Sequence, residues 1–346
     1  MATPANNIIN ALKCGNSIVV APSPKSVPSC ETLIEYIHAE FARIGEDSDL
    51  VRMVPAPGSK VKTQALMEGC DKIVCTGSQN NVHRAQMAGL PAVAVGAGNV
   101  TVIVDETADL AAAEKIRASK CFDNATSCSS ENALVVVDAV YDGFVAAMAV
   151  AGGAVTDDEA AVVAALWPDG HLSREVIAQD ADRMIAALGL AGRVPDGTEY
   201  IAVPTTGIGP DHPLNGEKLS RLLALYRAAD FDAAITTTRT IQLHQGAGHS
   251  VGLHSTDADR PMILARAIPT SRVIDNQAHT FATGGSFTNG MPFSLSMGCG
   301  SWGGNATHEN LHWRHFLQST KIVREIPPRE PSLEDIFAEY WNEAGR

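Results

Sequence analysis

The chain has 346 residues, 45% of them hydrophobic and 19% charged, with a formal net charge of -13 at pH 7. That length suits about two domains of ~150 residues, each with a sizeable core. The acidic balance excludes a nucleic-acid backbone or an anionic membrane as the main partner, but not a small anionic ligand, which needs only a local arginine or a helix N-terminus.

Residues 6–12 read as a helix that stops at Gly15-Asn16. The run SIVVA at 17–21, bounded by the turn PSPKS, reads as a buried strand. Then come a helix over 29–44, a strand over 50–54, a helix over 63–68 and the strand KIVC at 72–75, followed by the turn Thr76-Gly77-Ser78 and a helix through Ala88. Strands follow at 92–95 and 100–104, and a helix at 108–119. Short apolar strands alternating with helices indicate a parallel sheet covered on both faces. The TGS and VGAGN turns can place backbone N–H groups near a phosphate or be simple turns, and neither spells a full dinucleotide fingerprint. A second α/β unit begins with the apolar run 133–137. Helices are expected at 141–151, 156–166, 173–188, 232–244 and 261–267, with strands at 200–203, 222–226 and 251–254. A glycine-rich segment fills 283–305, and no repeat suggests a solenoid.

The seven cysteines (Cys14, Cys30, Cys70, Cys75, Cys121, Cys128, Cys299) are an odd number without a CxxC pair, which fits neither a disulfide framework nor a zinc site. No run reaches the ~18 apolar residues of a membrane span, and no signal peptide is visible. A cytoplasmic protein is expected. Cys128 stands out, because it lies in the small, polar loop NATSCSS ahead of an apolar run, with Glu131 three residues on. Such a loop holds a nucleophile at the floor of a cleft, although a buried structural cysteine is the alternative. The segment His308-Glu309-Asn310-Leu311-His312 spells H-E-x-x-H, with His315 beyond it. It follows a glycine-rich loop rather than lying in a long amphipathic helix, and Trp313, Arg314 and Phe316 crowd it. No metal site is expected there.

The ordered motifs GNSIVVAPSPKS, TGS, VGAGN, DETADL, KCFDNATSCSSE, EKLSRLLALYRA, GAGHSVGLHS and SLSMGCGSWGGN resemble the CoA-acylating branch of the aldehyde dehydrogenase superfamily. The wording NATSCSSE and QAHTFATGGSFTNG is most similar to the members acting on sulfoacetaldehyde, with succinate-semialdehyde and acetaldehyde members next. The resemblance implies an aldehyde dehydrogenase-like α/β fold of two three-layer domains with mostly parallel sheets. It divides the chain into a cofactor domain at 1–119, a catalytic domain at 120–310 and a C-terminal segment at 311–346.

It also implies roles for matched positions. Cys128 becomes the nucleophile. Thr76, Gly77 and Ser78, with Gly96 and Gly98, lie at the cofactor; Pro22, Ser23 and Lys25 lie by the adenosine ribose; Glu217 holds the nicotinamide ribose. His249 serves proton transfer or CoA attack, or merely orders the glycine loop. Arg221 is the first anion-binding candidate, with a structural ion pair as its alternative, and Thr283 and Ser286 can add hydrogen bonds to substrate. Where a hydrolytic enzyme of the family carries a water-activating glutamate, this chain reads VGAGN. A CoA thiol ionises far more readily than water and needs no such base. Lys25 and the lack of an acid after SIVVA favour NADP over NAD, though a plain surface lysine is an equally ordinary reading. A homodimer or homotetramer is expected. The match begins at MATPANNIINAL, which implies an incomplete cofactor domain lacking the oxyanion-hole asparagine. Losing one such donor costs ~10²–10³ in rate, so a catalytically impaired homologue is the alternative reading.

Overall fold

The computed structural model describes residues 2–77 and 79–345; Met1, Ser78 and Arg346 lie outside them. Helix α1 (Ala2–Lys13) ends where Gly15 takes φ +74°, a left-handed stop that only glycine adopts without strain. Strand β1 (Ile18–Val20), helix α2 (Val27–Ile44) and strand β2 (Val51–Met53) form a β-α-β unit whose two strands pair in parallel. Ile8 of α1, Cys30, Ile34 and Phe41 of α2, and Val51 close its small core. A second unit repeats the plan with α3 (Lys60–Glu68), β3 (Ile73–Thr76), α4 (Gln79–Met87) and β4 (Ala92–Val95), its two strands again parallel.

The main body is a seven-stranded sheet. Its elements in chain order are β5 (Val100–Val104), α5 (Ala112–Cys121), β6 (Glu131–Val137), α6 (Asp138–Val150), β7 (Gly153–Val155), α7 (Glu159–Leu166), α8 (Ala181–Ala187), β8 (Tyr200–Pro204) and β9 (Leu222–Ala228). They continue with α9 (Phe231–His244), β10 (Val251–His254), α10 (Arg260–Ala267), β11 (Val273–Asp275) and the short α11 (His279–Thr283). The strand order is β11-β10-β5-β6-β9-β8-β7, and every pairing is parallel. All seven residues of β6 are buried, as expected for a strand covered on both faces. Helices α5 and α6 cover one face through Ile116, Phe144 and Met148, while α7 to α10 cover the other through Leu166, Met184, Ala234 and Leu264. This three-layer arrangement is the expected α/β architecture.

Two expectations need correction. The expected boundary at 119/120 cuts through the sheet, because β5 pairs between β10 and β6, so the large body begins near residue 100. The expected helix over 173–188 is broken: Ala178 takes φ +59° and its N–H donates to the Leu219 carbonyl, and Asp180 is extended before α8 begins. Local periodicity misses this break because the bonds that enforce it are long-range. Among the described residues no helix is long and apolar enough to cross a membrane. Beyond Phe316 the chain has no regular structure until α12 (Leu333–Glu343), none of whose residues is buried.

Candidate active site

Four loops meet at the N-terminal ends of the adjacent strands β10, β5, β6 and β9. They carry His249, Gly98, Cys128 and Glu217, each within a few residues of its strand. Parallel α/β sheets more often present ligand sites at the opposite, C-terminal ends. The loop before β6 is shaped by three consecutive left-handed residues, Asp123, Asn124 and Ala125, at φ +48° to +58°. Asp and Asn tolerate that region through local hydrogen bonds, whereas Ala125 is a strained position. Asn124 is tied down at both ends of its amide: Oδ1 accepts from Arg221 Nε at 2.9 Å and Nδ2 donates to Asp180 Oδ1 at 3.0 Å. The loop therefore presents Cys128 in a fixed position.

Cys128 Sγ lies 3.2 Å from His249 Nε2. Gly98 roofs this pair: a Cβ at Gly98 would fall 2.0 Å from the Cys128 carbonyl oxygen and 3.2 Å from His249 Cδ2. Its N–H lies on the side of the Glu217 carboxylate and favours the charged form of that group. Arg272, almost fully buried, braces the other side, donating from Nη1 to the carbonyls of His249 and Gly298 at 2.9 Å and from Nε to Asn310 Oδ1 at 3.0 Å. A cleft of about 330 Å³ lined by Trp167, His171, Pro210, His244 and Gln245 opens beside Glu217.

Burial dominates the electrostatics. It pushes the Cys128 thiol up to about 12, with Glu217 and Cys299 adding to the rise and Arg272 opposing it. It holds His249 down to about 3, with Arg272 adding to the effect, so the imidazole facing the thiol is neutral. Burial also raises Glu217 to about 7, against the Gly98 N–H and the cations of Lys218 and Lys120. Behind the loop, Lys120 Nζ donates to the Glu131 carbonyl at 2.6 Å, and burial raises the Glu131 carboxyl to about 7 despite the Ser119 hydroxyl that donates to it.

These shifts set the acid stability of the fold. His249, His254 (held down to about 4) and His279 (well below its ordinary value) stay neutral when folded, mainly through burial. The unfolded chain protonates them below about pH 6.5, so their contribution is lost as pH falls, by about 1.4 kcal/mol per group per pH unit. Glu131 and Glu217 oppose this, because folded they take up protons between about pH 7 and the unfolded value near 4.3. Three groups against two leave a shallow loss down to about pH 4.3 and a steep one below it. Thermal midpoints between pH 7 and 3.5 test this; a midpoint still flat at pH 4 contradicts it.

The expected cofactor residues lie at two places. Pro22, Ser23 and Lys25 form the turn between β1 and α2, with Lys25 exposed. Thr76 ends β3, its Oγ1 2.7 Å from Ser296 Oγ, and Gly77 follows at φ +144°; Ser78 lies outside the described residues. Gly96 packs against the tip of the Gln79 side chain. Gly98, expected at the cofactor, packs against the Cys128 carbonyl and the His249 ring. Thr283 needs correction as a substrate residue: it is fully buried and its hydroxyl donates to the His279 carbonyl at 2.7 Å, within α11. Ser286 lies in a loop, its Oγ 3.0 Å from Thr288 Oγ1. The H-E-x-x-H segment forms no α-helix. Glu309 faces the Nε2 atoms of His312 and His315 at 3.6 and 3.4 Å. Their Nδ1 atoms accept backbone N–H groups of a short capping box, which places the ring protons on Nε2, toward the carboxylate. One ligand atom from each of Glu309, His312 and His315 lies within 4.8 Å of the others, a grouping that could hold a metal ion, although none was expected there. Arg272, Ser250 and His279 were not singled out in the sequence. The histidine in QAHTFAT and the arginine flanking the apolar VID were the only signals, and neither says what it touches.

The sequence model of the aldehyde dehydrogenase family matches residues 1–294. The chain belongs to the aldehyde dehydrogenase family. This aldehyde dehydrogenase is 50% identical over 348 residues to the sulfoacetaldehyde dehydrogenase (acylating) of Cupriavidus necator, covering 100% of this chain and 71% of that one. It is 32% identical to the succinate-semialdehyde dehydrogenase (acetylating) of Clostridium kluyveri, over 97% of this chain and 75% of that one. Its fold matches the crystal structure of an acetylating aldehyde dehydrogenase from Geobacillus thermoglucosidasius with a TM-score of 0.86 at 28% identity, covering 93% of this chain and 72% of that one. This aldehyde dehydrogenase is therefore shorter than the relatives it matches.

Proposed function

We propose that the chain oxidises a small aldehyde with NAD(P)+ and coenzyme A to the acyl-CoA, through a thioester on Cys128, and that sulfoacetaldehyde is the aldehyde. The observation that carries this reading is a thiol 3.2 Å from a neutral imidazole, with Gly98 packed against the Cys128 carbonyl. A thioester is hydrolysed when a carboxylate activates water beside it, and segment 95–99 (VGAGN) offers none. Discharge then falls to a thiol, which ionises near about 8.5 without help.

In the first step the Cys128 sulfur forms a bond to the aldehyde carbon, and its proton leaves to solvent. Its backbone N–H donates to the oxygen that gains charge. A nicotinamide cofactor bound beside that carbon would supply the hydride acceptor. The carbonyl re-forms as a thioester on Cys128, the sulfur of CoA adds to it, and Cys128 departs as a thiolate. His249 stabilises that thiolate each time it appears. Glu217 orients the nicotinamide ribose. The turn after β1 supports a dinucleotide there: the side chain of Ser26 makes no capping bond at the N-terminus of α2, and Lys25 stands exposed beside it. Lys25, with no acid in the turn, favours NADP.

The similarity to the Cupriavidus necator enzyme supports a sulfonated substrate. Arg221 meets that charge with the guanidinium N–H groups left after Nε binds Asn124, and the Ser286 hydroxyl adds a hydrogen bond. Seven free cysteines support the cytoplasm. The exposed apolar residues Ile322, Val323, Ile336 and Phe337 support assembly into a homodimer or homotetramer. The test is NAD(P)H formation from sulfoacetaldehyde, succinate semialdehyde and acetaldehyde, with and without CoA. CoA-dependent turnover, fastest with sulfoacetaldehyde, is expected. Turnover that ignores CoA overturns the acyl-transfer reading, and none with any aldehyde leaves an impaired homologue.

A further inference from the structure

Behind the thiol–imidazole pair the hydrogen bonds continue into the core. His249 Nδ1 lies 2.7 Å from Ser250 Oγ, and Ser250 Oγ lies 2.8 Å from His279 Nε2. His249, Ser250 and His279 are all essentially without exposed surface. A serine hydroxyl has one proton, so it donates to one of these rings and accepts from the other. The line Cys128–His249–Ser250–His279 therefore runs in one direction or the reverse.

The far end decides which. His279 Nδ1 has no hydrogen-bond partner among the described residues, and it faces the backbone of Gly252, where a Cβ would lie 2.9 Å away. A proton on Nδ1 would be an orphaned donor aimed at an aliphatic wall, and orphaned buried N–H groups are rare. A bare lone pair there is the less costly state, so the His279 proton sits on Nε2. Nε2–H then donates to Ser250 Oγ, the Ser250 hydroxyl donates to His249 Nδ1, and the His249 proton sits on Nε2, toward Cys128. His279 itself is held in place by the rest of α11. The Thr283 hydroxyl bonds its carbonyl, Ser119 Oγ accepts the Thr280 N–H at 2.8 Å, and Asn310 Nδ2 donates to the Thr283 carbonyl at 2.9 Å.

We propose that His279, acting through Ser250, is a positioning residue that fixes the tautomer of His249 and aims its Nε2–H at the Cys128 sulfur. An N–H donor beside the sulfur favours the thiolate over the thiol. The other groups facing Cys128 are Glu217, Cys299 and Arg272, and those around His279 are His254, Arg272 and the Glu131 carboxylate. None of these is altered by changing the His279 ring. The proposal deepens the reading of Cys128 and His249 given above, and its test does not require turnover.

The measurement is the rate of iodoacetamide alkylation at Cys128 against pH, resolved from the other cysteines by peptide mass spectrometry on the full chain. His279→Phe, which has no ring nitrogen, is expected to shift the alkylation rate down about ten-fold at any fixed pH below the thiol's own inflection. His279→Gln, whose amide donates from a similar reach, is expected to stay within about two-fold of the parent. His249→Ala is expected to reproduce the Phe variant's shift, with the double variant adding nothing further, because the two act in series. Should His279→Phe fail to fold, Ser250→Ala interrupts the same line and is expected to show the same shift. The proposal is overturned if a folded His279→Phe or Ser250→Ala alkylates like the parent, or if their effects add to that of His249→Ala. Absence of aldehyde turnover would bear on the enzymatic reading and leave this result standing.

Discussion

Cys128→Ala is expected to lose CoA-dependent NAD(P)H formation by at least about 10⁴-fold while melting within a few degrees of the parent. The size follows from the chemistry. Without the sulfur there is no covalent adduct from which hydride can leave, and no thioester for CoA to receive. The near-normal fold follows from the position: Cys128 sits in a partly exposed loop ahead of β6, and the core strand it precedes is untouched. Cys299 is the control, being buried and near enough to raise the Cys128 thiol, yet without a role in the proposed steps. Cys299→Ala is expected to keep at least about a tenth of the activity, its cost being that of a small buried void.

The second large effect is expected at Gly98. Alanine there would place a methyl 2.0 Å from the backbone oxygen of Cys128, a contact that no side-chain rotation relieves. Either the 95–99 loop or the nucleophile loop must retreat by on the order of 1 Å, and a displacement of that size at reacting atoms costs about 10²-fold. Gly96→Ala is the matched comparison, since its added methyl meets only the tip of the Gln79 side chain, which can swing away. A loss of about 10² in kcat/KM for Gly98→Ala against less than about five-fold for Gly96→Ala is expected. Equal effects would place Gly98 outside the reacting centre.

The sequence made some of this legible for identifiable reasons. Runs such as VTVIV at 100–104 and ENALVVV at 131–137 have one stable home, the middle of a parallel sheet, so strands and fold class could be read directly. Cys128 was visible because a thiol in a loop of Asn, Thr and Ser has few structural uses. The rest depends on distance along the chain. Cys128 and His249 are 121 residues apart, and Ser250 and His279 are 29 apart, so only the folded sheet reveals the line they form. Gly98 reads as part of a glycine turn, and nothing local says that its missing side chain is space for Cys128. Thr283 failed as a substrate residue because a threonine inside a short helix can spend its hydroxyl on the preceding turn. The helix expected over 173–188 failed at Ala178, whose conformation is set by Leu219 rather than by its neighbours.

The central claim, that Cys128 carries the acyl group and a CoA thiol removes it, is tested most directly by running the second half-reaction backwards. The full chain is incubated with acetyl-CoA or succinyl-CoA in the absence of nicotinamide cofactor, and its intact mass is then measured. One acyl group per chain is expected, mapped to Cys128, absent from Cys128→Ala, and released when free CoA is added. An unmodified chain, or an acyl group on another cysteine such as Cys299, would contradict it.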